Sequence, residues 1–248
     1  MSNRKVVQFS CGAASAVAAK ITVAKGGNVV VVNAFVKEEH EDNRRFLSDI
    51  ERWLGVPIIV LRDEKYGASA YEVFRRKRYT KGAFGAPCRA AVKGDVLDAF
   101  ARPGDIPVIG YTVEEQDRAD GFLDRNGHIG EFPLIDAGLT KADCLAMIER
   151  AGIRLPAMYA LGYNNANCIG CVKGGEGYFR AIREDFPAQF EELAVVQDEI
   201  GEGAFLFRNR ATGVRYGLRD IPPGPARRNE ALPACSFFCE LAEQEYAA

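Results

Sequence analysis

The stretch that decides the fold is Val6-Val7-Gln8-Phe9-Ser10-Cys11-Gly12-Ala13-Ala14-Ser15, near the start of the chain. Its apolar residues predict a strand, Val6–Ser10, and the alanine-rich residues after it predict a helix, Ala13–Ala24. A strand that passes through a small-residue loop into a helix leaves backbone N–H groups unpaired at the helix start, where the helix dipole is positive. The pattern predicts an anion-binding loop; the alternative is that the small residues serve only close packing.

The residues of this loop have different expected roles. Gly12 has no side chain, so an anion can approach the backbone closely. The hydroxyl groups of Ser10 and Ser15 are additional donors, and the backbone amides of Cys11 and Ala13 complete the predicted phosphate-binding set. The thiol of Cys11 is expected only to fill space inside the loop.

Composition sets the frame for these predictions. The 248 residues are 48% hydrophobic and 27% charged, with a formal net charge of −2, so nothing global calls for a nucleic-acid or membrane partner. The chain shows no secretory signal and no apolar run that could span a bilayer, which predicts a cytoplasmic protein without a membrane partner. Seven cysteines in such a chain indicate thiols or metal ligands and not disulfides.

The first half of the chain alternates apolar strands with amphipathic helices. Further strands are predicted at Asn28–Asn33, Pro57–Leu61 and Pro107–Gly110, with a weaker one at Glu131–Ile135. This alternation predicts an α/β fold with a doubly wound, mostly parallel, Rossmann-like sheet, whose ligands bind at the carboxyl ends of the strands. Asn33 and Phe35, after the second strand, and Gly110, after the fourth, are therefore expected near a bound ligand.

Two domains are predicted, a nucleotide-binding α/β domain at residues 1–138 and a smaller C-terminal region at residues 139–248. The C-terminal region has helical patterns and a predicted hairpin, formed by Ala204–Arg208 and Gly213–Tyr216. Cys144 lies in the helical pattern Lys141–Ala151, whose apolar spacing predicts a buried core thiol.

A C-x-x-C sequence, Cys168-Ile169-Gly170-Cys171, lies in the C-terminal region and is followed by the pair Gly174-Gly175. This spacing lets two thiolates of one turn bind the same soft metal or cluster. The other candidate ligands are Cys88, Cys235 and Cys239, and the last two would share a helix face if their segment is helical.

The order Ser10-x-Gly12-x-x-Ser15 resembles the S-x-G-x-x-S pattern of the PP-loop superfamily, which has an adenine nucleotide alpha-hydrolase-like (HUP) fold. The common form of the pattern has a second glycine where Cys11 stands and an acidic residue where Ala14 stands. Some reductase members also lack the acid, so the comparison favours the phosphoadenylyl sulfate reductase-like branch. The resemblance implies that the loop binds ATP or a related adenine nucleotide, together with Mg²⁺.

Cys88, the basic Arg89 and Lys93, and a C-x-x-C about eighty residues later together resemble the cysteines of cluster-bearing adenylyl sulfate reductases and of cluster-dependent tRNA-thiolating enzymes. The resemblance implies an iron–sulfur cluster on Cys88, Cys168 and Cys171, with Cys235 or Cys239 as fourth ligand, or with an open iron. The alternative is a structural Zn²⁺ on Cys168, Cys171, Cys235 and Cys239. The Glu-Cys-Gly-Leu motif of sulfonucleotide reductases does not occur in the sequence.

Glu115 and Arg118, after the fourth strand, resemble the acid-plus-arginine segment of phosphoadenylyl sulfate reductase-like proteins. In this comparison Arg118 holds a phosphate or sulfate, and Glu115 orients it or binds Mg²⁺. The alternative is an ordinary helix start, where acidic residues favour the positive end of the dipole.

A basic run, Arg75-Arg76-Lys77-Arg78, is interleaved with aromatic residues and precedes Cys88. Such a run suits the backbone of a nucleic-acid acceptor, and the alternative is a solvated helix face.

Three functions follow from these patterns. The first is ATP-dependent adenylation of an acceptor, coupled to sulfur delivery from a cysteine or the cluster, with a sulfur donor or thiol reductant protein as partner. The second is a sulfonucleotide reductase, in which the thiolate of Cys239 or Cys235 attacks the sulfur of the substrate. The third is a non-catalytic nucleotide-sensing module with a structural zinc.

Overall fold

The computed structural model describes residues 3–82, 85–230 and 232. The strands are β1 (Lys5–Gln8), β2 (Val29–Ala34), β3 (Ile58–Leu61), β4 (Ile106–Val108), β5 (Phe207–Arg208) and β6 (Arg215–Tyr216). Within the described residues, β1 to β4 form a parallel sheet in the order β3-β2-β1-β4, and β5 pairs antiparallel with β6. The α/β class, the parallel sheet and the predicted hairpin are thereby confirmed.

The α-helices are α1 (Ala13–Lys25), α2 (Asp42–Leu54), α3 (Ala70–Lys77), α4 (Pro87–Arg89), α5 (Asp95–Phe100), α6 (Gln116–Arg125), α7 (Pro133–Asp136), α8 (Lys141–Arg150), α9 (Ala157–Ala160), α10 (Glu176–Asp185) and α11 (Pro187–Ile200). A π-helix, Ala90–Gly94, joins α4 to α5. In the part of the chain that the structure describes, no helix is both long enough and apolar enough to cross a bilayer.

The order in which successive strands are added to the sheet reverses at β1. Strands β2 and β3 continue on one side of β1, and β4 lies on the other, so the switch point lies between β1 and β4. Val7 of β1 pairs in register with Val31 of β2 and with Val108 of β4, and all three are almost fully buried. Such apolar strands are typical of parallel sheets covered by helices on both faces.

Helix α1 lies in the core that covers the sheet. Its residues Ala16, Ala18 and Ala19 are fully buried, and the same core contains Cys144 and Ile148 of α8. Burial raises the pKa of the Cys144 thiol to about 12, and the negative charge of the nearby Asp143 carboxylate makes a smaller contribution in the same direction. Cys144 is therefore a neutral core thiol, as the sequence predicts.

The predicted strand Glu131–Ile135 is wrong. Glu131 forms an isolated parallel bridge with Val108, and the chain then enters α7 at Pro133. Proline cannot donate to a strand ladder and is favoured in the first turn of a helix, which explains why the strand ends there.

The contacts divide the chain into two compact units, and the division differs from the predicted boundary at residue 138. Unit 1 comprises residues 1–35, 41–61 and 96–160, and unit 2 comprises residues 36–40, 62–95 and 161–248. The difference arises because the segment after β3 leaves the sheet: α3 packs against α11. Helix α8, which follows the predicted boundary, packs instead on α1 in unit 1.

Candidate functional site

The chain turns sharply at Cys11, where β1 gives way to α1. Cys11 has a φ of 57°, in the left-handed region that glycine adopts without steric cost, and its side chain is fully buried. Gly12 follows in extended conformation as the N-cap of α1. We call residues 10–15 the phosphate loop. Its left-handed residue stands where the PP-loop pattern has its second glycine.

Three hydroxyl groups lie near the position that a side chain on Gly12 would occupy. The Ser15 hydroxyl accepts from the Ser10 N–H at 3.1 Å and donates to the Gly12 carbonyl at 2.9 Å. A Cβ atom on Gly12 would lie 3.5 Å from the Tyr159 hydroxyl, 3.8 Å from that of Ser10 and 3.9 Å from that of Ser15. A methyl group on Gly12 would therefore be in ordinary contact with all three hydroxyl groups.

Tyr159 belongs to this set, although no sequence motif points to it. Burial raises the pKa of its hydroxyl to about 12, and the backbone amide of Ala13 acts in the opposite direction. The phenol therefore keeps its proton at neutral pH and remains a hydrogen-bond donor beside the phosphate loop.

Asn33 braces the loop from β2. Its side-chain amide donates to the backbone carbonyl of Phe9 at 2.8 Å and lies 3.6 Å from the Cys11 sulfur. Asn33 is 1% exposed, so its side chain is buried against these two residues. The ring of Phe35, the other residue predicted near adenosine, lies 4.6 Å below the guanidinium of Arg44.

Gly110 brings the segment after β4 against the start of α1. A Cβ atom on Gly110 would lie 2.9 Å from the Cα of Ser15 and 3.0 Å from its nitrogen. The residues predicted after the first and fourth strands are therefore in contact at the switch point.

Glu115 and Arg118 are part of a helix start. The Glu115 carboxylate accepts from the Thr112 N–H at 3.2 Å, and it forms an ion pair with Arg118. The Arg118 guanidinium lies 4.4 Å from the centre of the Tyr111 ring. This is the arrangement of the helix-start alternative; the anion-binding and Mg²⁺-binding roles of these residues stay predictions.

In unit 2, Cys88, Cys168 and Cys171 line one cleft, which holds about 460 Å³ of empty space including the part open to solvent. We call it the cysteine cleft. Tyr71 and Phe74 of α3 form part of its wall. Within residues 3–82, 85–230 and 232, no group of three or more His, Cys, Asp or Glu side chains is arranged to hold a metal ion. Cys235 and Cys239 lie outside the described residues.

Glu38 holds two walls of the cysteine cleft together. Its backbone carbonyl accepts from the Ile169 N–H at 2.8 Å, within the C-x-x-C segment. Its carboxylate accepts from the Ser69 hydroxyl at 2.6 Å and from the Ala70 N–H at 2.9 Å, at the start of α3. Burial, and then the charge of Glu38, raises the pKa of the Tyr71 hydroxyl, which stays neutral.

Three basic residues, Arg89, Lys93 and Lys173, lie in the same unit as the cysteine cleft. Arg89 is 2% exposed and lines the cleft together with Lys173. Lys93, on the π-helix, forms a buried ion pair with Glu39 at 3.0 Å. The backbone of Glu39 in turn forms an isolated antiparallel β-bridge with that of Cys168. Arg89 and Lys93, the two basic residues that follow Cys88 in the sequence, therefore both lie in unit 2.

The basic run on α3 makes hydrogen bonds within unit 2. Three of its four residues donate there: Arg75 to Glu199 at 2.7 Å, Arg76 to the Lys65 carbonyl at 2.7 Å and Arg78 to the Ile200 carbonyl at 3.2 Å. Lys77 is exposed. The nucleic-acid role of this run stays a prediction.

No protein-family model matches the chain, and no curated protein matches it significantly. The resemblance to the PP-loop superfamily therefore rests on the sequence motifs and on the geometry of the residues that carry them.

Proposed function

We propose that this chain is an adenine-nucleotide-binding PP-loop enzyme, which uses ATP and Mg²⁺ to adenylate an acceptor and then delivers sulfur to it. The observation that carries the proposal is the position of the phosphate loop at the switch point between β1 and β4, with three hydroxyl groups around Gly12. In doubly wound sheets this is where ligands bind, and a helix start is favourable for phosphate. The left-handed Cys11 gives further support, because the PP-loop pattern has glycine there.

In the proposed reaction the donors of the phosphate loop hold the phosphates of ATP. An acceptor oxygen attacks the α-phosphorus, and the bond to pyrophosphate breaks. A sulfur nucleophile then attacks the activated carbon of the acceptor, and AMP leaves with the oxygen. The amides and hydroxyls around Gly12, already oriented by the Ser10–Ser15 hydrogen bonds, stabilise the charge that develops on the phosphates.

The cysteine cleft supports the second half of the proposal. Cys88, Cys168 and Cys171 offer three soft donors, which suit iron or zinc in their chemistry. When bound, an iron–sulfur cluster supplies an iron atom that can take sulfide as a ligand. The rings of Tyr71 and Phe74 form part of the wall of the cleft, and Arg89, which is 2% exposed, also lines it.

The nucleotide half is tested with Gly12→Ala. The methyl group enters the space among the three hydroxyls at ordinary contact distances, so the fold is preserved while the anion loses room. We expect MgATP affinity, measured by calorimetry, to fall about tenfold. Gly82→Ala is the matched control: among the residues that the structure describes, its Cβ would be nearest to the Tyr79 ring, at 3.6 Å, and binding should not change.

Turnover assays separate the candidate functions. Formation of AMP and pyrophosphate from ATP in the presence of an acceptor supports the proposal, whereas release of sulfite from adenylyl sulfate would indicate the reductase. Nucleotide binding without turnover, in a colourless protein with stoichiometric zinc, would indicate the sensing module. A wild-type chain that binds no adenine nucleotide at all would overturn the proposal.

A further inference from the structure

We propose that Tyr178 is a positioning residue for metal binding, which joins the backbones of the two cysteines of the C-x-x-C turn through one hydroxyl group. The inference rests on the proposed function, because it takes Cys168 and Cys171 as metal ligands. It adds a residue that lies seven positions beyond the C-x-x-C and that carries no motif of its own.

The Tyr178 hydroxyl joins the backbones of both cysteines. The N–H of Cys171 donates to the hydroxyl oxygen at 3.1 Å, and the hydroxyl donates to the carbonyl of Cys168 at 3.3 Å. A single side-chain atom therefore bridges the two ends of the turn. A movement of either cysteine's backbone away from the other would break one of these two bonds.

The ring that carries this hydroxyl is held on several sides. Tyr178 is 2% exposed, and a Cβ atom on Gly174 would overlap the Cδ1 atom of its ring. The Tyr163 ring meets it edge-on, with 5.9 Å between the ring centres. The absence of a side chain at Gly174 is thus what lets the ring reach the turn.

The backbone of Tyr178 is held as well. Glu230 accepts from the Tyr178 N–H at 3.1 Å and from the Gly175 N–H at 2.6 Å, at the start of α10. Tyr178 belongs to α10, so Glu230 fixes the first turn of the helix that carries the hydroxyl, and the hydroxyl joins that turn to the two cysteines.

Ligands that are held in place before the metal arrives lose less conformational freedom on binding it. Groups that orient metal ligands without contacting the metal change affinity about 10- to 100-fold when they are removed. Tyr178 fits this role because its hydroxyl bonds the backbone groups of the two cysteines.

The test compares Tyr178→Phe with Tyr163→Phe in the reduced, metal-free full-length chain. Cobalt(II) is titrated under anaerobic conditions, and zinc affinity is then measured by competition through loss of the thiolate-to-cobalt charge-transfer absorption. Tyr163 is the matched control, since its hydroxyl also makes a hydrogen bond, to Asp185 at 2.8 Å, in the same aromatic cluster. We expect zinc affinity to fall about 10- to 100-fold in Tyr178→Phe and to remain at the wild-type value in Tyr163→Phe.

The outcomes separate this inference from the proposed function. Equal zinc affinity in the wild type and Tyr178→Phe overturns the inference and leaves the cysteine site intact, and so does an equal loss in both variants. A wild-type chain without thiolate-to-cobalt absorption overturns the cysteine site, and the inference with it.

A second measurement needs no variant. Hydrogen exchange of the Cys171 amide in the metal-free wild type should be slow, because its N–H is bonded to a buried hydroxyl. Exchange at the rate of an unstructured peptide would contradict the inference, even if Tyr178→Phe does not fold.

Discussion

The phosphate loop consists of consecutive residues, 10–15, whereas the cysteine cleft takes its walls from segments near residues 38, 71, 88 and 170. The loop is shaped by local means: a left-handed residue, a glycine and the hydrogen bonds between Ser10 and Ser15. The cleft depends on side chains that connect distant segments, above all Glu38, whose carboxylate accepts from the Ala70 N–H at the start of α3. The two candidate sites should therefore respond differently to the same chemical change.

Glycine shows this difference most directly. At Gly12 the atom nearest to an added methyl group would be 3.5 Å away, an ordinary contact distance, so the packing does not require the absence of a side chain. At Gly174 the corresponding space is already filled by the Tyr178 ring, so the absence of a side chain serves the fold. Packing therefore requires glycine at position 174, whereas the proposed function, and not packing, accounts for glycine at position 12.

The largest expected effect is that of Gly174→Ala. Its methyl group would overlap the Tyr178 ring, which is buried and cannot move without disturbing its neighbours. We expect the free energy of unfolding, measured by denaturant titration, to fall by about 3 kcal/mol. Gly12→Ala is the control in the loop and should cost less than about 1 kcal/mol. Similar losses in both variants would contradict the contrast between the two regions.

A smaller effect is expected from Glu230→Gln, which alters the bonds at the start of α10. The carboxylate accepts from two backbone N–H groups, one on each oxygen. The glutamine side chain has a single acceptor oxygen, so it can accept from only one of these groups, and that bond is weaker because the acceptor carries no charge. We expect a loss of about 2 kcal/mol in the free energy of unfolding. Glu184→Gln removes an exposed ion pair with Arg228 and should change stability by less than about 0.5 kcal/mol, which makes it the matched control.

The smallest effect concerns the sheet that carries the phosphate loop. Asp105 accepts from the Arg4 guanidinium and from the Arg102 N–H, and these bonds, Arg4 first, lower the pKa of its carboxyl below 3.8. A lowered pKa means that the native state binds the proton less well than the unfolded state. The stabilisation is therefore complete above pH 3.8 and is lost as the pH falls through the lowered pKa.

The measurement compares Asp105→Asn with the wild type by denaturant titration, from neutral pH down to below 3.8. We expect the variant to lose about 1.5 kcal/mol at neutral pH, with the difference shrinking at the acid end. A difference that stays constant across this range would show that Asp105 acts through something other than its charge.

The sequence alone could predict the parallel sheet, because apolar runs alternating with amphipathic helices have few other solutions. It also predicted that Cys144 is buried, since the apolar spacing of a helix fixes which face packs inward. It did not predict the division of the chain, because nothing local shows that α3 packs against α11 and not on the sheet. The strand predicted at Glu131–Ile135 was wrong because one proline outweighed the apolar pattern.

The same distinction holds within the candidate sites. The order Ser10, Gly12, Ser15 was sufficient to predict a small-residue loop before α1, since the hydrogen bonds between Ser10 and Ser15 join residues close in sequence. Only the tertiary structure brought the Tyr159 hydroxyl to Gly12 and the Glu38 carboxylate to the start of α3. The physical reason is that a contact between distant residues depends on how whole elements pack, and no periodicity in the sequence records that packing.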